Sequence, residues 1–513
     1  MSEQNNIGNN KRIAKNTILL YIRMFFIMST QLFTSRVVLN TLGIEDYGIY
    51  NVVGGVIAMF GFLNGAMSLA TQRYLTFELG KKNMDGQICV FNTSLQIHSI
   101  ISAIVFILAE TIGIWFLNNK MIISPERMDA AIWVFQCATL SSIVLVMSVP
   151  FNASIIAHEK MSAFAYISVI EVILKLAIVY LLIAFDIDKL KLYSCLILAV
   201  QLFIISIYNR YCVKHFEECT YRRIFKKKLF KEMLGFAGWN VIGNCAYLFF
   251  TQGLNLLLNT FFGPVVNAAR AVAVQVETAI QQFSNNFQMA INPQITKTYA
   301  QGNLKAMHGL IYRSCRFTFI LLLIISLPVM IEAPIILELW LKQVPDHTVT
   351  FFIIIMCTAM IDSTSRPLGI AAAATGNIKK YQIVVGGLLL LILPLSYFVL
   401  LMGAPAEFVF IVHFFICSLT FFVRLLILKP MIKLSINEYF KKVIVRLIIV
   451  FVISLLLSIG VKMLMPKSII YSFIVTFISG IITFISCYFI GIDSDEKAFV
   501  RNKISLALNR VKH

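Results

Sequence analysis

Residues 190–231 read LKLYSCLILAVQLFIISIYNRYC and then VKHFEECTYRRIFKKKLFK. The first part carries no charge from Leu192 to Asn209 and is mostly apolar, and the second is dense in Lys and Arg. About 20 apolar residues at 1.5 Å rise span the roughly 30 Å hydrocarbon core of a bilayer. A span followed by a basic connector is the unit from which the rest of the chain can be read. Comparable runs lie at roughly 13–40, 49–70, 88–117, 129–152, 160–184, 190–212, 232–260, 265–293, 304–340, 347–373, 378–403, 406–431, 440–465 and 468–491. They predict an all-α integral membrane protein of about 14 transmembrane helices.

Composition points the same way. The chain has 513 residues, 59% hydrophobic and 13% charged, with 42 Phe and a mean hydropathy of +0.82. Soluble domains carry about 25% charged residues. The polar start, residues 1–10, leads into a first run without a small-residue cleavage pattern, which reads as an uncleaved span and no signal peptide. The ten cysteines are scattered and behave as small apolar residues. Cys212, His215 and Cys219 match no zinc spacing, so no metal is expected. Assigning connectors alternately places 28 Lys and Arg on one side and 6 on the other. By the positive-inside rule both termini are cytoplasmic. The +19 net charge is then mainly orientation signal and attraction to anionic inner-leaflet lipid, not nucleic-acid binding. The connector from Lys214 to Lys231 and the tail from Asp495 to Arg510 both read as amphipathic segments lying on that surface.

The connector also divides the chain into halves that resemble one another. Leu39-Asn40-Thr41 followed by Gly43 matches Leu258-Asn259-Thr260 followed by Gly263, and Pro150 at the exit of span four matches Pro367 at the exit of span ten. Gly80 and Gly302 occupy equivalent inner loops, and all three offsets lie between 217 and 222. Six spans per half is even, which implies a parallel repeat about an axis along the membrane normal, with substrate between the lobes. The expected divisions are 1–212 for a first lobe, 213–231 for a basic linker, 232–431 for a second lobe, and 432–513 for two further helices and the tail.

Arg36 to Val53 (RVVLNTLGIEDYGIYNVV), Gln72-Arg73-Tyr74 and Gly80, with twelve plus two helices, resemble the multidrug/oligosaccharidyl-lipid/polysaccharide exporter superfamily. Within it the chain is similar to polysaccharide-biosynthesis flippases of the Wzx, O-antigen type. The resemblance implies a V-shaped pair of lobes, alternating access, and an undecaprenyl-pyrophosphate-linked oligosaccharide as cargo in a bacterial inner membrane. It also implies cavity arginines on the first and eighth helices, and polysaccharide polymerase machinery as a partner.

Ionisable residues at bilayer depth are functional candidates by default. Arg23 lies inside span one and suits phosphate, because a guanidinium binds its oxygens in bidentate fashion. Arg36 and Arg270, near outer helix ends, either line the same cavity or snorkel to the interface. Glu171 with Lys175, and Asp362 with Arg366, have i, i+4 spacing. Each is a structural ion pair or a site of proton or ion coupling. Asn240, Asn244, Gln252 and Gln282, in a polar stripe that also holds Gln281 and Asn285, either bind sugar hydroxyls or join helices. His98 and His413 read as hydrogen-bonded bundle residues.

No catalytic residues, cofactor or enzyme activity is expected, and no P-loop appears. The preferred reading is a flippase carrying the lipid-linked oligosaccharide to the outer leaflet. A cation-coupled drug exporter would call for a carboxylate on span one, where the chain has Arg23 instead. A membrane polymerase or ligase would need a large outer loop, which is missing.

Overall fold

The computed structural model describes residues 61–493 apart from 121–122, 186–187, 342 and 467, together with 496–497 and parts of 16–53 (16–30, 34, 37–38, 41–43, 46–50 and 53). Among the described residues there is no strand. This follows from the solvent. With no water in hydrocarbon, backbone groups must be satisfied within their own segment, and only the helix does that for an isolated span. Eleven helices are long and apolar enough to cross a membrane. Three further spans complete the expected layout. The first includes the apolar helix α1 (Asn16–Thr30), the second runs into α2 (Gly61–Gly80), and the eighth is α9 (Pro264–Ala300), whose polar stripe keeps it outside the apolar set.

The chain forms two compact units, residues 1–245 with 296–302, and residues 246–295 with 303–513. In the first unit α5 (Met128–Ala157) is the hub. It packs against α2, α3 (Met84–Leu108), α6 (Met161–Ala184) and α7 (Lys189–His215). Its buried face includes Ala130, Ala131, Ser148, Ala153 and Ser154, small residues that let helices approach closely where lipid supplies no hydrophobic drive. In the second unit the corresponding span is α12 (Thr348–Thr375), packed between α10 (Leu304–Ile331) and α15 (Glu407–Ile432).

The duplication recurs in local geometry. The hydroxyl of Thr41 donates to the Val37 carbonyl and that of Thr260 to the Leu256 carbonyl, both at 2.8 Å. Gly43 and Gly263 then adopt φ of 82° and 79°, open to glycine without steric cost. Pro150 and Pro367 are buried inside α5 and α12. The helices end at left-handed residues, Glu159 (φ 59°) and Gly376 (φ 81°), with the same offset of 217 as the prolines. One pairing shifts. Asn83 and Asn303 each accept from the backbone N–H three residues on, at 3.1 and 3.0 Å. The positive φ before them falls on Lys82 and Gly302, so Gly302 matches Lys82. Gly80 has a different task, because a Cβ there would lie 2.8 Å from Ala300 Cβ and 3.0 Å from the Lys297 carbonyl.

One expected span is broken and another carries an internal turn. The run 304–340 divides at Glu332 into α10 and α11 (Ala333–Leu341), where Pro334 cannot donate to continue the ladder. The run 378–403 divides into α13 (Lys379–Leu390) and α14 (Ile392–Leu401), because Pro394 leaves the Leu390 carbonyl without its helical donor. The basic connector is not helical throughout. After a turn at Glu217–Cys219 it runs extended and is tied to α3. Asn92 donates to the Thr220 carbonyl at 3.2 Å and accepts from Arg222 N–H at 2.7 Å, and Gln96 donates to the Ile224 carbonyl at 2.9 Å. Side-chain amides of α3 satisfy the strap's backbone, which a helix would have satisfied itself. Most of the Asp495–Arg510 tail lies outside the described residues.

Candidate functional site: a charged chamber in the first unit

Arg23 of α1 stands with its guanidinium 4.6 Å from the centre of the Phe164 ring. It lines a cavity of about 520 Å³ walled by α1, residues 46–50, α6 and α7. The polar groups there are Thr30, Thr34, Tyr47, Tyr50, Ser168, Glu171, Lys175, Tyr193 and Gln201. A smaller cavity of about 170 Å³ shares Arg23, Ser168, Glu171 and Gln201 and adds Asn152 and Tyr208. Glu171 accepts from Lys175 Nζ at 2.6 Å, one turn along α6. The charged wall is therefore two cations and one carboxylate, and that carboxylate is engaged. Tyr50 and Tyr193 meet edge to face at 4.8 Å, which presents phenol rings to the same space. No hydrogen bond reaches Arg23 Nε from any described residue.

The sequence singled out Arg23, Glu171 and Lys175, and the structure brings them into one chamber. It did not single out Tyr47, Tyr50, Tyr193, Ser168 or Gln201. Tyr47 and Tyr50 lay within the quoted Arg36–Val53 stretch with no role assigned, and Ser168, Tyr193 and Gln201 were marked only by polarity inside apolar runs, which does not say which face of a helix they occupy.

The other candidates lie elsewhere. Arg36 is outside the described residues. Arg270 is buried in the second unit, where it donates to Asn255 and, at 3.2 Å, to the Thr251 carbonyl. Asp362 accepts from Arg366 Nε at 3.1 Å and lies 3.7 Å from Arg424 Nη1. Arg366 also donates to Gln281 and Asn285 of α9, and Gln281 donates to Glu277. Two arginines and two carboxylates thus form one network across α9, α12 and α15. The sequence showed the Asp362–Arg366 pair but not Glu277 or Arg424. Asn240 is buried and donates to its own helix at the Phe236 carbonyl, 3.1 Å away. Asn244 and Gln252 are exposed, Gln252 accepts from Asn255 at 3.2 Å, and Gln282 is half-buried. None of these four lines the two cavities. His98 is a buried bundle residue, with Nδ1 2.7 Å from the Ser94 carbonyl. His215 turns to its own helix at the Tyr211 carbonyl, 2.9 Å away.

No family model matches the sequence, and no curated protein matches it either. Solved structures do. A proline-to-alanine variant of a MATE protein shares 14% identity over 82% of this chain and 97% of its own, with a TM-score of 0.70. The fold is that of MATE proteins. An outward-facing multidrug resistance MATE family transporter of the MOP superfamily follows at 15% identity, with 83% and 96% covered and a TM-score of 0.69. A MOP superfamily transporter from Pyrococcus furiosus, described as having a binding pocket of reversed polarity that suggests a different function, matches at 15% identity. It covers 83% and 96%, with a TM-score of 0.67.

Proposed function

We propose that this chain is a membrane transporter that exports small amphipathic molecules bearing an anionic group. The chamber around Arg23 is the observation that carries the reading. Its volume, about 520 Å³, falls in the 300–1,000 Å³ range of small-molecule sites. Its aromatic and aliphatic walls suit an apolar body, while Arg23 and Lys175 suit an anion. A cationic drug would meet like charge, with only the engaged Glu171 to offset it. The MATE neighbours, one of them named a multidrug resistance transporter, favour this exporter over the lipid-linked flippase. A neighbour described as having reversed pocket polarity supports a change of cargo charge within one fold. The fold also speaks for a transporter over an enzyme.

A second reading stays open for a specific reason. A guanidinium binds phosphate oxygens in bidentate fashion, so a polyprenyl-pyrophosphate-linked oligosaccharide, moved to the outer leaflet for surface polysaccharide, would use the same arginine. Purified protein in proteoliposomes distinguishes the two. Export of anionic fluorescent amphiphiles, with cationic dyes left behind, supports the exporter. Movement of a lipid-linked saccharide without amphiphile export transfers the assignment to the flippase. Preferential export of cationic dyes would overturn the anionic cargo.

A further inference from the structure

The thiols of Cys137 on α5 and Cys195 on α7 stand 3.9 Å apart. Their proximity is a property of the whole interface. Arg127 pairs with Asp188 61 residues on, Asp129 with Lys191 62 residues on, and the Trp133 indole donates at 3.1 Å to Cys195, again 62 residues on. Near the other end of the helices the Cys212 thiol donates to the Phe151 carbonyl, 61 residues back. An offset of 61 to 62 along the two helices means that they run parallel in one register; Cys195 sits opposite Trp133 and also reaches Cys137, one turn further along α5 and 58 residues away in sequence. Cys137 is 7% exposed, Cys195 is half-buried, and Trp133 beside them is 49% exposed on the outer surface of the bundle. Neither cysteine lines the Arg23 chamber. The pair therefore lies beside an exposed face of the unit, near the end that carries the Arg127–Asp188 ion pair.

We propose that Cys137 and Cys195 are an oxidisable pair that closes into an intrachain disulfide clasp between α5 and α7. Closure to a bond of about 2.05 Å moves each sulfur by about 0.9 Å, and the register already holds both side chains. The reaction takes two electrons and two protons from the thiols and needs a membrane-permeant two-electron oxidant of the diazene class. One thiolate adds across the N=N bond. The second attacks that sulfur, the S–S bond forms as the S–N bond breaks, and the hydrazine leaves with both protons.

The test uses full-length protein in lipid nanodiscs, treated with diamide in hundredfold excess, then denatured, alkylated and digested. Mass spectrometry should find a peptide linked through Cys137 and Cys195. Dithiothreitol should remove the link and return both residues to the alkylated pool. Cys137→Ser and Cys195→Ser should each abolish the linked peptide at this position and leave the remaining cysteine of the pair alkylatable. Separate alkylation of both residues after diamide, or a linked peptide joining either to another cysteine instead, overturns the clasp.

Discussion

Replacing Arg23 with glutamine separates a cargo anchor from a structural residue. A guanidinium at bilayer depth costs about 2.5–3.5 kcal/mol on insertion scales. The Phe164 ring at 4.6 Å returns about 0.5–2 kcal/mol, and the Nε–H donates to none of the described residues. Arg23 is therefore not held for stability, and Arg23→Gln should melt no lower than the parent. Transport should behave oppositely. A charge-assisted contact to an anionic cargo is worth about 1.5–3 kcal/mol, so kcat/KM for anionic amphiphiles should fall by about 10- to 150-fold. Arg23→Lys should recover part of this, because it restores charge but not the planar fork. The assay is efflux from proteoliposomes across a concentration series, beside thermal unfolding of the same preparations. Unchanged transport together with a melting temperature several degrees lower would refute the reasoning and make Arg23 a packing residue.

Further outcomes follow from other contacts. Glu159, whose side chain is fully buried, pairs with Lys297 Nζ at 2.6 Å. Lys297→Met should cost about 3 kcal/mol, and adding Glu159→Gln should recover much of it in a double-mutant cycle measured by unfolding. Gly80→Ala should cost about 1–3 kcal/mol by thermal unfolding, because the new methyl meets Ala300 Cβ at 2.8 Å and a backbone carbonyl at 3.0 Å. Burial would raise the Asp493 carboxyl, but hydrogen bonds and charge from Arg316 and Arg446 outweigh it and hold it below the usual range. Its contribution is thus complete above the unfolded value of about 3.9 and is lost as pH falls through the lower folded one. Melting temperature should fall more steeply below about pH 4 in the parent than in Asp493→Asn.

The apolar spans were legible in the sequence because the bilayer imposes a local rule: enough consecutive apolar residues make a helix whatever surrounds them. The repeat was legible because turns such as Thr41 to Gly43 and Thr260 to Gly263 depend on neighbours in the chain. The pairs Glu171–Lys175 and Asp362–Arg366 were legible because one helical turn joins them. What one helix offers another was decided only by tertiary packing. Arg366 reaches Gln281 and Asn285 more than 80 residues away, and Arg23 shares its chamber with Tyr50 and Tyr193, through helix rotations that hydropathy leaves free. The strap held by Asn92 and Gln96 likewise waited on the fold, whereas the interruptions at Pro334 and Pro394 have a local cause in the proline itself. In each of them a backbone group lost its helical partner or found one elsewhere.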